Sequence, residues 1–486
     1  MATRNSIIHL LFKKMQIIYI KEDKFQYDIH SLYKAFYPTE QIRVIVGERG
    51  SNPEKEKDIS PNDEISFIDV NKSKNDLKKE IYLRLSQKTN KSLPWGDLTG
   101  IRPTRIAMNL LEEGRSDTEI QEYMKDTYLV SDDKINIAID IAKREKDILK
   151  DIDYLNGYSL YIGIPFCPTT CLYCSFTSYP IGAYSGIVDD YISCLEKEID
   201  YVAENFLDKT LDTVYIGGGT PTTLEPDQIR RLIGYLRKKI DLSKVKEFTV
   251  ESGRPDSITR EKLRAMKEMG VTRISVNPQT MSDETLRLIG RRHSVSQLVD
   301  AFKMAREEGF DNINMDIILG LPGEDSSDVE HTISEIKKLD PDDLTVHCLA
   351  IKRGSKLFEV IREKEISGNL KIPMLDTMSD IENMARIAAK GAADMGLKPY
   401  YLYRQKNISG NFENTGYARD DKAGIYNILI NEEVQSIVAL GAGTVTKRVF
   451  HQGGRIERCD NVKDVKLYMD NIQEMIDRKK KLFEEE

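Results

Sequence analysis

Between residues 159 and 352 the chain repeats one rhythm six times, a short apolar run followed by a longer amphipathic stretch. The apolar runs are "SLYIGIP", "DTVYIGG", "EFTVES", "RISVNPQ", "NINMDIILG" and "DLTVHCLAI". Helical stretches such as "YISCLEKEIDYVAENF", "DQIRRLIGYLRKKI" and "VEHTISEIKKL" lie between them. Parallel strands cannot be joined by tight hairpins, and the long crossover each pair needs is usually a helix. The spacing therefore predicts an α/β fold with a parallel sheet. Six units fall short of the eight that close a full barrel, so the expected architecture is an open, partial (βα)6 barrel over residues 158–352.

The flanks read differently. Residues 1–74 alternate short apolar and charged runs and predict a small α+β domain. Residues 75–157 carry apolar residues at three- and four-residue spacing and predict a helical connecting region. Residues 353–486 mix a helix in "MLDTMSDIENMARIAAKGAADMG" with short strand-like runs, as an appended C-terminal α+β domain. Near the start, Lys13 and Lys14 interrupt the apolar run and no small-residue cleavage site follows, so "QIIYI" reads as a strand rather than a leader. No run of about 18 apolar residues predicts a membrane span. A net charge of −8 offers no basic face for nucleic acid. Six cysteines in 486 residues do not make a disulfide scaffold, and a cytoplasmic, reducing location is expected.

Half of those cysteines stand together in "IPFCPTTCLYCSF", residues 164–176, as Cys167, Cys171 and Cys174. They follow the first strand of the series directly, at the strand end where barrels of this kind assemble their chemistry. Pro165 and Pro168 keep that loop out of helix. Three thiolates on one loop can each hold a different iron of a [4Fe–4S] cluster and leave the fourth iron open. A structural zinc would want a fourth Cys or His, and His9, His30, His293, His331, His347 and His451 are all remote in sequence, so one would have to fold in. A Cys171–Cys174 redox pair would leave Cys167 without a role.

Other strand ends carry polar groups suited to a small zwitterion. "GGGTPT", residues 217–222, follows the second strand with glycines that let a ligand approach the backbone, and it matches neither dinucleotide nor triphosphate loops. Glu251, Gln279 and Asp316 lie in or at the ends of the third, fourth and fifth strands, and Arg291 follows twelve residues after Gln279. Each alone could be a satisfied polar residue at an element end.

The C-x-x-x-C-x-x-C spacing resembles the signature of the radical S-adenosylmethionine (SAM) enzymes. The resemblance implies that SAM chelates the open iron and that an electron from the cluster cleaves it to methionine and a 5′-deoxyadenosyl radical. "YIGIPFC", "GGGTPT", "NPQTMSDETLRLIGR" and "DIILGLPGE" resemble the oxygen-independent coproporphyrinogen III oxidase (dehydrogenase) family and its haem-chaperone relatives. "LPWGDLTGIRPTRI" and "LKPYYLYRQKNISGNFENTGY" resemble its HemZ-type subgroup. By that resemblance Cys167, Cys171 and Cys174 bind the cluster, and Tyr161, Phe176, Gly218, Gly219, Thr220, Glu251, Gln279, Arg291 and Asp316 fall on SAM-binding positions. No catalytic residue is assigned.

The implied reaction is an oxidoreductase step of haem biosynthesis, in which two propionates of coproporphyrinogen III become vinyl groups of protoporphyrinogen IX with loss of CO2. A flavodoxin or ferredoxin is the implied electron donor. The chain departs from the best-studied dehydrogenases at Phe176, where they have a further cysteine, and at Gly163, where they have a histidine. Phe176 is shared with the chaperones. Haem binding and delivery, or haem methylation or ring opening, therefore stand as alternatives. A tetrapyrrole with four carboxylates needs cations around a flat slot, for which Arg102, Arg105, Arg404, Lys406, Lys447 and Arg448 are candidates, with Tyr400, Tyr401 and Tyr403 as a wall. Haem itself would add His347, Cys348, His451 or Cys459 as axial ligands.

Overall fold

The computed structural model describes residues 14–38, 40–57, 59–352, 354–366, 380–404, 412–451 and 454–484. The chain divides into two compact units, one formed by residues 1–143, 348–382 and 402–414, the other by 144–347, 383–401 and 415–486.

The first unit contains a three-stranded parallel sheet of β1 (Met15–Ile20), β2 (Gln41–Val46) and β3 (Glu64–Ile68) in the order β2-β1-β3. A helix over Gln26–Phe36, unforeseen in the sequence, makes the first crossover and buries Ile29, Leu32, Tyr33 and Phe36. The helix Lys74–Thr89, expected to belong to the connecting region, adds Leu77, Ile81, Tyr82 and Leu85 to that same core. Its start is set by Ser73, whose hydroxyl accepts from the Asp76 amide. A second core gathers around the fully buried Trp95 with Ile120, Met124, Ile135 and Ile139.

The second unit is built on the predicted strand series. All six strands form: β4 (Gly157–Ile164), β7 (Thr210–Gly218), β8 (Glu247–Val250), β9 (Arg273–Ser275), β10 (Ile313–Leu319) and β11 (Asp343–Cys348). A two-residue pair, β5 (Phe166–Cys167) with β6 (Tyr179–Pro180), stands apart. The strands β4, β7, β8, β9 and β10 pair in parallel in that order. The intervening helices Val188–Asn205, Pro226–Lys239 and Ser326–Leu339 bury one apolar face each, including Leu195 and Ile199, Leu232 and Leu236, and Ile333 and Ile336. The fold is thus the expected mixed α/β barrel with its sheet left open.

An open sheet has two edges of unpaired backbone groups, and the chain beyond residue 352 covers both. On one side β14 (Ser436–Leu440) runs parallel to β4, followed outward by β15 (Val445–Val449) and β16 (Ile456–Asp460). On the other, β13 (Asn414–Ala418) pairs antiparallel with β11, and β12 (Lys398–Tyr403) completes the eleven-stranded order. Sheet pairing therefore crosses the boundary expected at 352/353. The helix Ile425–Glu432 presents its first amides to the Glu247 carboxylate at the start of β8, at the opposite end of the barrel from the cysteines. Above it a buried ion pair, Arg273–Asp343 at 2.6 Å, with the Tyr400 hydroxyl on the same carboxylate, fills the barrel interior.

Candidate functional site: a three-cysteine loop at the barrel mouth

The loop of the three cysteines is tied at its base and at its crown. At the base Phe166 and Cys167 pair with Tyr179 and Pro180, and the Tyr179 amide donates to the Pro165 carbonyl at 2.8 Å. At the crown the Leu172 amide donates to the Ile289 carbonyl at 2.9 Å, and the Thr169 hydroxyl to that of Gly290 at 3.1 Å. All three thiols are free of disulfides; Cys167 and Cys171 are buried and Cys174 is half-buried. Two of them meet side-chain donors. The Thr220 hydroxyl reaches Cys167 Sγ at 3.5 Å, and Arg254 Nη1 reaches Cys171 Sγ at 3.4 Å. Burial pushes the Cys167 thiol up to about 11, and the Thr220 hydrogen bond opposes it.

The glycine turn lies against this loop. Gly219 and Thr220 donate their amides to the carbonyls of Ile164 and Phe166, each at 2.7 Å. A Cβ on Gly219 would stand 2.6 Å from the Phe166 oxygen and 3.0 Å from Cys167 Sγ. Gly218 holds φ at +108°, open to glycine and costly for any other residue. At Gly218 and Gly219 the turn is thus a close approach of two backbones, whereas a Cβ on Gly217 would meet the Glu251 carboxylate at 2.9 Å.

Further round the barrel Glu251 accepts the Tyr215 hydroxyl at 2.6 Å. Burial raises its carboxyl to about 7, against the pull of that hydrogen bond. Asp316 accepts from the side-chain amides of Asn277 and Asn314, both at 2.7 Å, and has His347 Nε2 at 3.9 Å. Burial alone would raise the Asp316 carboxyl, yet the neighbouring His347 and Asn314 outweigh it and hold the group below its usual range. Gln279 sits at φ +65°, a left-handed conformation rare outside glycine, pinned by its amide to the Asp316 carbonyl at 2.9 Å. Backbone strain of this kind is concentrated at functional sites. Arg291 is buried with Nη1 on the carbonyls of Gly253 and Asn277 and Nη2 3.4 Å from the Tyr173 hydroxyl. Tyr161 stacks with Tyr215 at 6.0 Å and with Tyr426 at 6.1 Å. Phe176 stands 71% exposed.

The cysteine loop, the glycine turn, Glu251 and Gln279 therefore follow consecutive strands of one sheet, with Asp316 inside β10 and Arg291 on the loop after the short helix Asp283–Leu288. The candidate tetrapyrrole cations are placed otherwise. Arg404 is buried on the carbonyls of Leu98 and Gly100, Lys447 pairs with Glu433 at 3.0 Å, and Arg448 lies over Phe450 and donates to the Leu482 carbonyl. Arg102, Arg105 and Tyr403 are half-buried, Tyr400 and Tyr401 are buried, and Lys406 lies outside the described residues. Of the candidate axial ligands, His347 is half-buried beside Asp316. Cys348 is buried, Cys459 is half-buried, and exposed His451 meets the Tyr154 carbonyl at 2.8 Å. Arg254, Asn277 and Asn314 escaped the sequence reading. Arg254 carried a usable signal, since it stands three residues after Glu251 in the same strand-end loop.

The sequence profile of the radical SAM superfamily matches residues 161–336. A *Bacillus subtilis* protein described as oxygen-independent coproporphyrinogen-III oxidase-like protein HemZ is 38% identical over 410 residues, which span 83% of this chain and 80% of that one. The chain belongs to this HemZ group of the radical SAM superfamily. HemZ-group membership extends over both flanks of the barrel, whereas the heme chaperone HemW of *Bacillus subtilis* matches at 35% identity over 48% of the chain and 60% of its own length. In fold the HemZ-type chain is similar to coproporphyrinogen III oxidase (HemN) from *Escherichia coli*, with a TM-score of 0.51 over 66% of this chain and 70% of that one at 22% identity. Radical SAM proteins work with a [4Fe–4S] cluster and SAM, and these are the cofactors of the family. The residues fit both: three free thiols on one loop, two of them within reach of donors suited to thiolate charge, and a side-chain-free turn beside them. No helix among the described residues is long and apolar enough to cross a membrane.

Proposed function

We propose that this protein is a radical SAM oxidoreductase acting on a tetrapyrrole, by oxidative decarboxylation of the propionates of coproporphyrinogen III to vinyl groups. The observation that carries the reading is the likeness to the HemZ relative over 83% of this chain and 80% of that one, joined to the three-cysteine loop beside its glycine turn. Cys167, Cys171 and Cys174 hold the cluster. Gly218, Gly219 and Thr220 leave room for the amino-acid end of SAM, and Glu251, Gln279, Arg291 and Asp316 line the rest of its site with Tyr161. When bound, the two cofactors supply a one-electron route to hydrogen-atom abstraction from an unactivated carbon.

The chain's own contribution is orientation and exclusion of water. The Asn277 and Asn314 amides fix the Asp316 carboxylate as a charged acceptor. Tyr215 fixes Glu251, whose carboxyl near 7 can be charged or neutral close to neutral pH. The stacked Tyr161, Tyr215 and Tyr426 rings form an apolar wall within the barrel. Conversion of each propionate to a vinyl group removes one hydrogen atom from the β-carbon and one further electron, which an electron acceptor takes up, and releases the carboxyl carbon as CO2.

A haem-delivery role is a second reading, supported by the HemW likeness across the barrel and by phenylalanine at position 176. Anaerobic incubation of the reconstituted protein with coproporphyrinogen III, SAM and a low-potential reductant tests both. CO2 release with protoporphyrinogen IX formation is the expected outcome. Stoichiometric haem binding with no CO2 would overturn the first reading in favour of the second.

A further inference from the structure

Arg254 donates to a thiol of the three-cysteine loop, and neither the family resemblance nor the SAM site accounts for it. Its guanidinium is 4% exposed and every arm is engaged. Nη1 donates to Cys171 Sγ at 3.4 Å and to the Thr169 carbonyl at 3.2 Å; Nη2 donates to the Thr169 hydroxyl at 3.0 Å. From the other side Asp256 takes Nε at 3.0 Å and Nη2 at 2.8 Å, the fork geometry of a bidentate pair. The chain gives the arginine this posture locally. Pro255 opens a short 3-10 turn over Pro255–Ser257 that carries Asp256 back toward the guanidinium. Buried His293 has its Nδ1 3.9 Å from the Asp256 carboxylate, and buried Arg291 donates to the carbonyls of Gly253 and Asn277.

We propose that Arg254 is a positioning residue that sets the reduction potential of the cluster through Cys171 while fixing the Thr169 segment of its loop. The inference rests on the ligand assignment above. Hydrogen bonds and charge near the sulfurs are what tune such clusters. Uptake of an electron adds one negative charge to the cluster and changes no bond. A fixed, desolvated guanidinium on a ligand sulfur stabilises that added charge and raises the potential. Asp256 tempers the effect, since its carboxylate neutralises part of the arginine's field.

Two substitutions then act in opposite directions. In Arg254→Lys the hydrogen bond to sulfur is lost while bulk and charge are largely kept. In Asp256→Asn the arginine stays and its counter-charge goes. Iron and sulfide are first quantified in the reconstituted wild type, which decides the ligand assignment: a wild type without iron overturns the reading beneath this inference. With iron bound, each protein is titrated with a low-potential chemical reductant under redox mediators, following the reduced cluster by electron paramagnetic resonance. Arg254→Lys is expected to lower the midpoint by about tenfold in the one-electron equilibrium, which corresponds to about 59 mV. Asp256→Asn is expected to raise it. Equal iron contents with both midpoints unmoved, or both moved the same way, would overturn the proposal, because a purely structural role gives no reason for opposite signs.

Discussion

Cys171→Ala is expected to remove cluster-bound iron and sulfide to near background and to abolish SAM cleavage, while the protein still folds. The thiol is buried on a loop held at both ends by backbone bonds that do not involve the sulfur, so the loop survives the change: the Tyr179–Pro165 and Leu172–Ile289 bonds remain. Two remaining thiols cannot hold the cluster in the three-point manner that leaves one iron open. Anaerobic reconstitution followed by iron and sulfide analysis, with far-ultraviolet circular dichroism as the folding control, measures both halves of the expectation. A variant that kept full iron and turned over SAM would remove Cys171 from the ligand set.

The second large effect lies away from the cysteines. Glu198 and Lys479 are both fully buried and paired at 2.7 Å. Glu198 also accepts from the Tyr468 hydroxyl at 2.5 Å, the Gly441 amide at 2.7 Å and the Asn461 side chain at 3.0 Å. Lys479→Met leaves that carboxylate in the interior without its counter-ion, a change that costs about 3–5 kcal/mol in comparable buried pairs. The expected readout is a large fall in the urea midpoint of unfolding. Adding Glu198→Gln should recover much of the loss, because the amide oxygen accepts from Tyr468 and Gly441 without a charge to desolvate. A double variant as unstable as Lys479→Met alone would count against the charge argument. The damage also bears on the site. Gly441 packs so tightly on β4 that a Cβ there would meet the Gly163 carbonyl at 2.5 Å, and the Tyr191 hydroxyl bridges Gly163 and Ala442.

The barrel was legible because period and spacing are local properties. Each strand run and each amphipathic helix in 159–352 declares itself within a short window, and the cysteines declare their place by following the first strand. The edges of the sheet were not legible. "SIVAL" at 436–440 reads as a short apolar run anywhere, and only the unpaired edge of β4, far away in sequence, makes it a parallel strand of the same sheet. The helix Gln26–Phe36 was missed for a related reason: its N-cap, Phe25, makes no side-chain cap hydrogen bond, so the usual start signal is absent.

The site divided along the same line. The glycines, cysteines and carboxylates of the candidate site could be singled out by type and by position along the strand series. The arginines did not, because a guanidinium's role depends on what it meets. Arg404 and Arg448 looked available for a carboxylate-rich ligand and instead meet carbonyl oxygens, while Arg254 went unnoticed and meets a thiol.

The strand leading into Cys167 gains one of its two neighbours from Ser436–Leu440, more than 250 residues later in sequence. During synthesis β4 and β7 can pair early, but that flank stays bare until Ser436–Leu440 has left the ribosome. Iron loading should therefore follow emergence of Ser436–Leu440. Ribosome-stalled chains ending before Ser436 are expected to take up no cluster under conditions that load the finished protein, and cluster-bearing stalled chains would show that the missing neighbour is dispensable for assembly.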